Sequence, residues 1–210
     1  MVYKFFMVIS MIVAITFNAA TSTTCFSQSS EGWKLEKDKN GIKVYTRKAA
    51  NSSIMEFRAS ATVAAHMEQL EALIEKVNDY PGWQTSISTA NVLKQQNKEE
   101  QYIYYTTDVP WPVTDRDIVL HSEKNKSASG IVTYNLHSKP DFISEKGNFV
   151  RIKKAKGFWQ FTPFKDNKIN VTFQFYADPE GNIPDWIINM FLVKGPYNSL
   201  TNLKSKVEKL

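Results

Sequence analysis

Two stretches of the chain alternate apolar and polar residues without a break. Met55, Phe57, Ala59, Ala61 and Val63 are interleaved with Glu56, Arg58, Ser60 and Thr62. Further on, Ile169, Val171, Phe173, Phe175 and Ala177 are interleaved with Lys168, Asn170, Thr172, Gln174 and Tyr176. A period of two puts all the apolar side chains of a strand on one face, so each stretch reads as a strand of an antiparallel sheet with one wet side. Less regular strand candidates cover 33–37, 42–48, 88–95, 101–108, 115–124, 130–137 and 149–162. Turn-forming residues separate several of them, as at Lys39-Asn40-Gly41, Ser129-Gly130, Lys146-Gly147-Asn148 and Lys165-Asp166-Asn167.

The spacing turns helical in two places. Met67, Leu70, Leu73, Ile74 and Val77 predict a short helix over about 65–78, ended by Tyr80-Pro81-Gly82. At the C-terminus Ile183, Trp186, Ile187, Met190, Val193, Tyr197, Leu200, Leu203, Val207 and Leu210 mark one face of a long helix. Pro184 suits its first turn, whereas Gly195-Pro196 falls in its interior and predicts a kink there. Strands, a short helix, more strands and one closing helix give an α+β class, with the helices gathered on one side of an antiparallel sheet. A strongly curved sheet around a long helix leaves a space between them. No repeat or linker interrupts the chain after residue 32, so a single domain is expected.

The N-terminus follows a different rule. Lys4 precedes an apolar run, Phe5 to Phe17, and then a small and polar stretch reaching Gln28. That run has the length of a secretory signal core and is short for a spanning helix, which needs roughly 20 residues. Cleavage sites fit after Ala20 and after Ser27; the second is preferred, because ordered-looking sequence begins only at Gly32-Trp33. The domain division is then a signal peptide over 1–27 and one domain over 28–210, with an exported, periplasmic or secreted product. Ser22-Thr23-Thr24 lacks the residues that would mark Cys25 for lipidation. After a Ser27 cut no cysteine is left, so the core must hold the fold without disulfides.

Charge alters this picture little. A net charge of +5 is modest and, with export, argues against a nucleic-acid partner. The densest basic patch is Arg151, Lys153, Lys154 and Lys156, which reads as a solvated strand edge or as an attraction for anionic lipid head groups.

The most unusual segment is Pro110-Trp111-Pro112-Val113-Thr114-Asp115-Arg116-Asp117, running straight into Ile118-Val119-Leu120. Two prolines exclude helix and stiffen a corner that delivers charges to the start of a strand. Charges so close to a core need partners. Strand alternation puts Arg116, Ile118 and Leu120 on one face, and Asp117, Val119 and His121 on the other.

This segment resembles the proline-aromatic and Arg-Asp signature of START (StAR-related lipid-transfer) domains. Two further blocks agree. Ala177-Asp178-Pro179-Glu180-Gly181-Asn182-Ile183-Pro184-Asp185-Trp186-Ile187-Ile188-Asn189 resembles the segment that opens the family's C-terminal helix. Gly32-Trp33 and Leu35, then Gly41-Ile42-Lys43-Val44-Tyr45-Thr46-Arg47 and Glu56-Phe57-Arg58-Ala59, form a looser third match. The resemblance spans about 32–210. It implies a helix-grip fold, a curved antiparallel sheet wrapped around the long C-terminal helix with an internal hydrophobic tunnel. It also implies a lipid or other hydrophobic small molecule as ligand. The same fold serves aromatase/cyclase-type enzymes, so fold alone does not decide activity. Some members carry a second arginine a few residues after the Arg-Asp pair; here that strand reads His121-Ser122-Glu123.

The candidate cavity-lining residues are Trp111, Arg116, Trp159, Phe161, Phe173, Phe175, Trp186 and Met190. Arg116 has two readings, a corner pinned by backbone bonds or a fork at one tunnel end for a carboxylate or phosphate, and the first is preferred. No catalytic or metal-binding constellation is visible: His66, His121 and His137 lack ligand spacing, and nucleophile elbow, phosphate loop and zinc-protease motifs are missing. Asp115, Asp117 and His121 are the only acid-base candidates, and no cofactor is called for. Binding alone is energetically sufficient, since a chain of about sixteen carbons gains roughly 13 kcal/mol gross on burial before the costs of binding. The expected protein is a monomeric lipid binder making transient membrane contact. An enzyme using the same cavity and a ligand-free envelope module are the alternatives.

Overall fold

The computed structural model describes residues 32–208 apart from 51 and 53, so the proposed signal peptide and Cys25 lie outside the described residues. Ten strands form one sheet: β1 (Lys34–Lys39), β2 (Ile42–Lys48), β3 (Met55–Ala64), β4 (Ile87–Gln95), β5 (Glu100–Thr107), β6 (Arg116–Lys126), β7 (Val132–Ser138), β8 (Val150–Arg151), β9 (Ala155–Phe164) and β10 (Lys168–Ala177). The order across the sheet is β1-β2-β3-β10-β9-β7-β6-β5-β4, antiparallel throughout; the short β8 pairs in parallel with the start of β6. The two clearly alternating stretches are neighbours at its centre, β3 against β10, with Phe57 facing Phe175 and Ala59 facing Phe173.

The single strand expected over 149–162 is split. Arg151 is drawn to the first residues of β6 to meet Asp117, and the backbone regains the sheet only at Ala155. The short helix α1 (Met67–Glu75) buries Leu70 and Ile74 and runs into a 3₁₀ turn, Val77–Gly82, as Pro81 approaches. A second 3₁₀ turn, Pro140–Phe142, lies in the loop joining β7 to β8.

The C-terminal helix is built in three parts, α2 (Asp185–Asn189), a π turn (Met190–Lys194) and α3 (Gly195–Val207). Pro196 has no amide proton to give the preceding turn. The Gly195 N–H instead reaches back to the Met190 carbonyl, so the break expected at Gly195-Pro196 takes the form of a wider turn just before it. A π turn inserts one extra residue, so the inward stripe before it is offset from the stripe after it.

The concave side of the sheet wraps α3. One half of the enclosed space is solidly packed: Trp83, Trp159, Phe161, Leu70, Tyr134, Leu200, Leu203 and Val207 are buried together. Tyr80 meets Trp83 edge-on, and the Trp159 ring stacks flat on Phe173 with centroids 3.9 Å apart. Gly157 on β9 sits opposite Phe175, and a methyl group there would lie 2.3 Å from the Gln174 carbonyl and 2.5 Å from the Phe175 ring. The glycine is the flat spot against which Phe175 lies. Gly157→Ala is expected to lose about 1–3 kcal/mol through forced movement of β10, read as a melting temperature lower by several degrees; an unchanged melting curve would show that Phe175 does not depend on this glycine.

Candidate functional site

The other half of the space is open. A cavity of about 280 Å³ lies between the sheet and the start of the C-terminal helix. Its wall is set by strand alternation. Met55 and Phe57 come from β3, Phe173, Phe175 and Ala177 from β10, Tyr105 and Thr107 from β5, Arg116 from β6, and Ile87 from β4. The helix supplies Ile187, Ile188, Phe191, Leu192 and Ser199. Among the described residues no carboxylate, imidazole or thiol lines it. Among the described residues no group of three or more His, Cys, Asp or Glu is placed to hold a metal ion.

Of the residues predicted to line the cavity, Arg116, Phe173 and Phe175 do so. The others stand elsewhere, each for a local reason. Trp159 and Phe161 belong to the packed half, where Trp159 backs Phe173 from behind. Trp111 is 90% exposed. The Asp115 carboxylate accepts the Val109 N–H at 2.8 Å and the Val113 N–H reaches the Pro110 carbonyl, so the corner closes at its base and projects its indole outward. Trp186 is 56% exposed and Met190 is only half-buried outside the cavity wall. The cavity is met by a neighbouring stripe of the helix, Ser199, Leu192 with Phe191, and Ile188 with Ile187, and Trp186 and Met190 lie beside that stripe.

Arg116 and Asp117 are adjacent and serve opposite faces. Arg116 points to the concave side, where its guanidinium donates to the carbonyls of Thr114, Pro179 and Glu180. These bonds fasten the corner to the turn that opens α2, and the turn needs left-handed backbone at Glu180 and Gly181. Burial lowers the guanidinium pKa, against which the nearby Asp115 charge works. Asp117 points to the convex side and accepts from Arg151 at 2.8 and 2.9 Å and from the Tyr104 hydroxyl at 3.1 Å. Both members of this ion pair are almost wholly buried. Arg151 also donates to the carbonyls of Pro140, Ile143 and Ser144, so the pair fixes the loop lying over it. The hydrogen bond to Asp117 raises the Arg151 pKa, and burial, with the Asp117 charge, pushes the Tyr104 phenol up to about 12. Arg151 is therefore no part of a solvated basic patch.

The acid-base candidates lie off the cavity. Asp115 is engaged with Val109, Asp117 with Arg151, and His121 lies on the convex face 3.3 Å from a Glu100 oxygen. The lysines of the basic patch line a second, shallow and polar groove with His137 and Asp178. Ile54 borders both this groove and the cavity, so the two adjoin.

Gln84, Tyr105, Thr107, Ile188, Phe191, Leu192 and Ser199 were not singled out by sequence reasoning. For β5 the signal was present, since Ile103, Tyr105 and Thr107 share one face with a buried apolar leader. Gln84 sits in an irregular segment, where no period marks inward positions.

A family model described as START domain matches residues 20–209. An uncharacterized protein of Pseudomonas aeruginosa is 36% identical over 179 residues, covering 85% of this chain and 88% of its own. The human phosphatidylcholine transfer protein is 22% identical, covering 81% of each chain. Among solved structures, a STAR-related lipid transfer protein from Xanthomonas axonopodis superposes with a TM-score of 0.76 at 35% identity, over 84% of this chain and 98% of that one. Human StAR-related lipid transfer protein 5 gives the same TM-score at 17% identity, over 87% and 89%, a likeness of fold. The sheet gripping a C-terminal helix is thus the helix-grip fold.

The two neighbouring charges hold different segments, so their loss should be felt in different places. Asp117→Ala strands a buried guanidinium and is expected to cost about 3–5 kcal/mol, with faster amide exchange confined to 139–149. Arg116→Leu should quicken exchange over 178–184 instead. Both substitutions loosening the same segment would contradict this division.

Proposed function

The chain belongs to the START domain family of lipid-binding and lipid-transfer proteins, and on that footing we propose that it carries a single apolar or amphiphilic small molecule in the cavity beneath its C-terminal helix. One observation carries the reading. In a fold whose other half is packed solid, this half keeps an apolar space walled by Phe57, Phe173, Phe175, Ile187 and Phe191. Empty space of this kind is costly unless something fills it. A wall whose described residues include no carboxylate, imidazole or thiol favours holding a ligand over transforming it.

The surroundings of the cavity suit loading from a membrane. Arg116 ties the corner bearing Trp111 to the turn opening the helix that bears Trp186, so two exposed indoles flank one end of the cavity. Lys154 and Lys156 line the adjoining groove. Indoles settle at the head-group level of a bilayer, and lysines close to an anionic surface contribute about 1 kcal/mol each. An exported location, resting on the apolar run Phe5 to Phe17, belongs to the same reading.

Protein purified from its own cells should release one stoichiometric amphiphile on solvent extraction, with the same mass added to the native mass spectrum. A consistently ligand-free protein would sink the proposal. Trp111→Ala should reduce co-sedimentation with phosphatidylglycerol-containing vesicles several-fold while leaving the melting temperature unchanged, because the indole touches little of the fold. Undiminished vesicle binding would remove Trp111 from the docking surface.

A further inference from the structure

The apolar wall has a polar interruption. Gln84 is only 9% exposed and lines the cavity, yet its carboxamide forms no hydrogen bond among the described residues. The hydroxyl of Tyr105, across the cavity on β5, is likewise without a partner among them. The Thr85 and Thr107 hydroxyls also line the cavity without a hydrogen bond among the described residues, and the Trp83 indole N–H is buried without one. Other polar groups nearby are engaged. The Tyr80 hydroxyl donates to the Ile74 carbonyl, the Ser199 oxygen accepts the Thr85 N–H, and the Arg116 guanidinium is taken up by three carbonyls. Among the described residues the fully enclosed side-chain polar atoms without a partner are the Trp33 and Trp83 indole nitrogens, so the unbonded Gln84 carboxamide opens onto the cavity. A leucine in its place would fill about the same volume without offering a hydrogen-bonding group.

The charge around it is equally informative. Among the described residues no acidic side chain stands in the wall to serve as counter-ion to a cationic head group. Burial raises the Tyr105 pKa, so the phenol stays a neutral donor and acceptor at physiological pH. A cavity of about 280 Å³ lies at the lower edge of the range of roughly 300–1,000 Å³ usual for small-molecule pockets. It suits one apolar chain or a compact ring body.

We propose that Gln84 and Tyr105 form the polar recognition point of the cavity and that the cargo is an uncharged amphiphile bearing one hydroxyl or amide group. A carboxamide offers one acceptor and two donors, and a phenol one of each, which matches a group that both donates and accepts. This rests on the reading of the cavity as a ligand site.

The test uses the full chain and ligands that share one chain length. Diphenylhexatriene, a hydrocarbon without polar atoms, is bound first. Its displacement by 1-hexadecanol, hexadecanoate and hexadecyltrimethylammonium is then compared. The alcohol is expected to be the strongest competitor. Gln84→Leu should weaken it about tenfold, the worth of one well-made buried hydrogen bond, with diphenylhexatriene held as well as before. Tyr105→Phe should act in the same direction. The ligand-free Gln84→Leu protein should melt no lower than the parent, which separates a recognition group from a structural one. Alcohol binding indifferent to both substitutions, a lower melting temperature of Gln84→Leu, tighter binding of the anion or the cation, or diphenylhexatriene that the alcohol fails to displace would each overturn this proposal and leave the cavity a ligand site. Failure of all four compounds to bind would overturn the ligand site itself.

Discussion

The architecture around the cavity depends on the simplest property of a β-strand, that consecutive side chains leave on opposite faces. At the start of β6 this sends Arg116 inward and Asp117 outward. Inside, Arg116 binds carbonyls of the 178–181 turn and so fixes where the C-terminal helix begins. Outside, Asp117 holds Arg151, and Arg151 gathers the carbonyls of the overlying loop. One dipeptide thereby sets the distance between sheet and helix and closes the convex surface behind it. Neither charge has a spare role in chemistry, since each is consumed in holding chain segments that are remote in sequence.

The cavity exists because two halves of one concave surface are treated differently. Toward Trp83, Trp159 and Leu203, large side chains from sheet and helix meet and interlock. Toward Met55, Tyr105 and Ile188 the side chains no longer reach across. The Trp159–Phe173 stack is the boundary, with one face of Phe173 against an indole and the other on open space. A rigid wall of this kind keeps the open half from collapsing onto itself.

Much of this could be read from the chain before any coordinates. The alternation in β3 and β10 gave their inward faces, and both phenylalanines of β10 expected at the cavity are there. What escaped was helical phase and loop direction. Periodicity alone does not say which of the adjoining stripes of the C-terminal helix meets the cavity: Ser199, Leu192, Phe191, Ile188 and Ile187 do, and Trp186 and Met190 lie beside them. The proline corner read as stiff, but stiffness does not say which way Trp111 points; the corner is closed at its base by the Val109 N–H donating to the Asp115 carboxylate and the Val113 N–H donating to the Pro110 carbonyl, and the indole is left outside. The structural role preferred for Arg116 agrees with its bonds to backbone carbonyls. The basic patch lost its arginine because only the pairing of β8 with β6 brings Arg151 against Asp117.

The central pairing of β3 with β10 joins residues 56–64 to residues 168–176. Strands so far apart in sequence cannot meet until nearly the whole chain has been synthesised, and the loop between them must be closed at an entropic cost before the contact repays it. The helix that roofs the cavity is later still in the chain. A nascent chain therefore has no cavity at all, and its apolar wall is a set of separate sticky strands. The cavity can be occupied only after the chain has been made through α3 and has closed on itself.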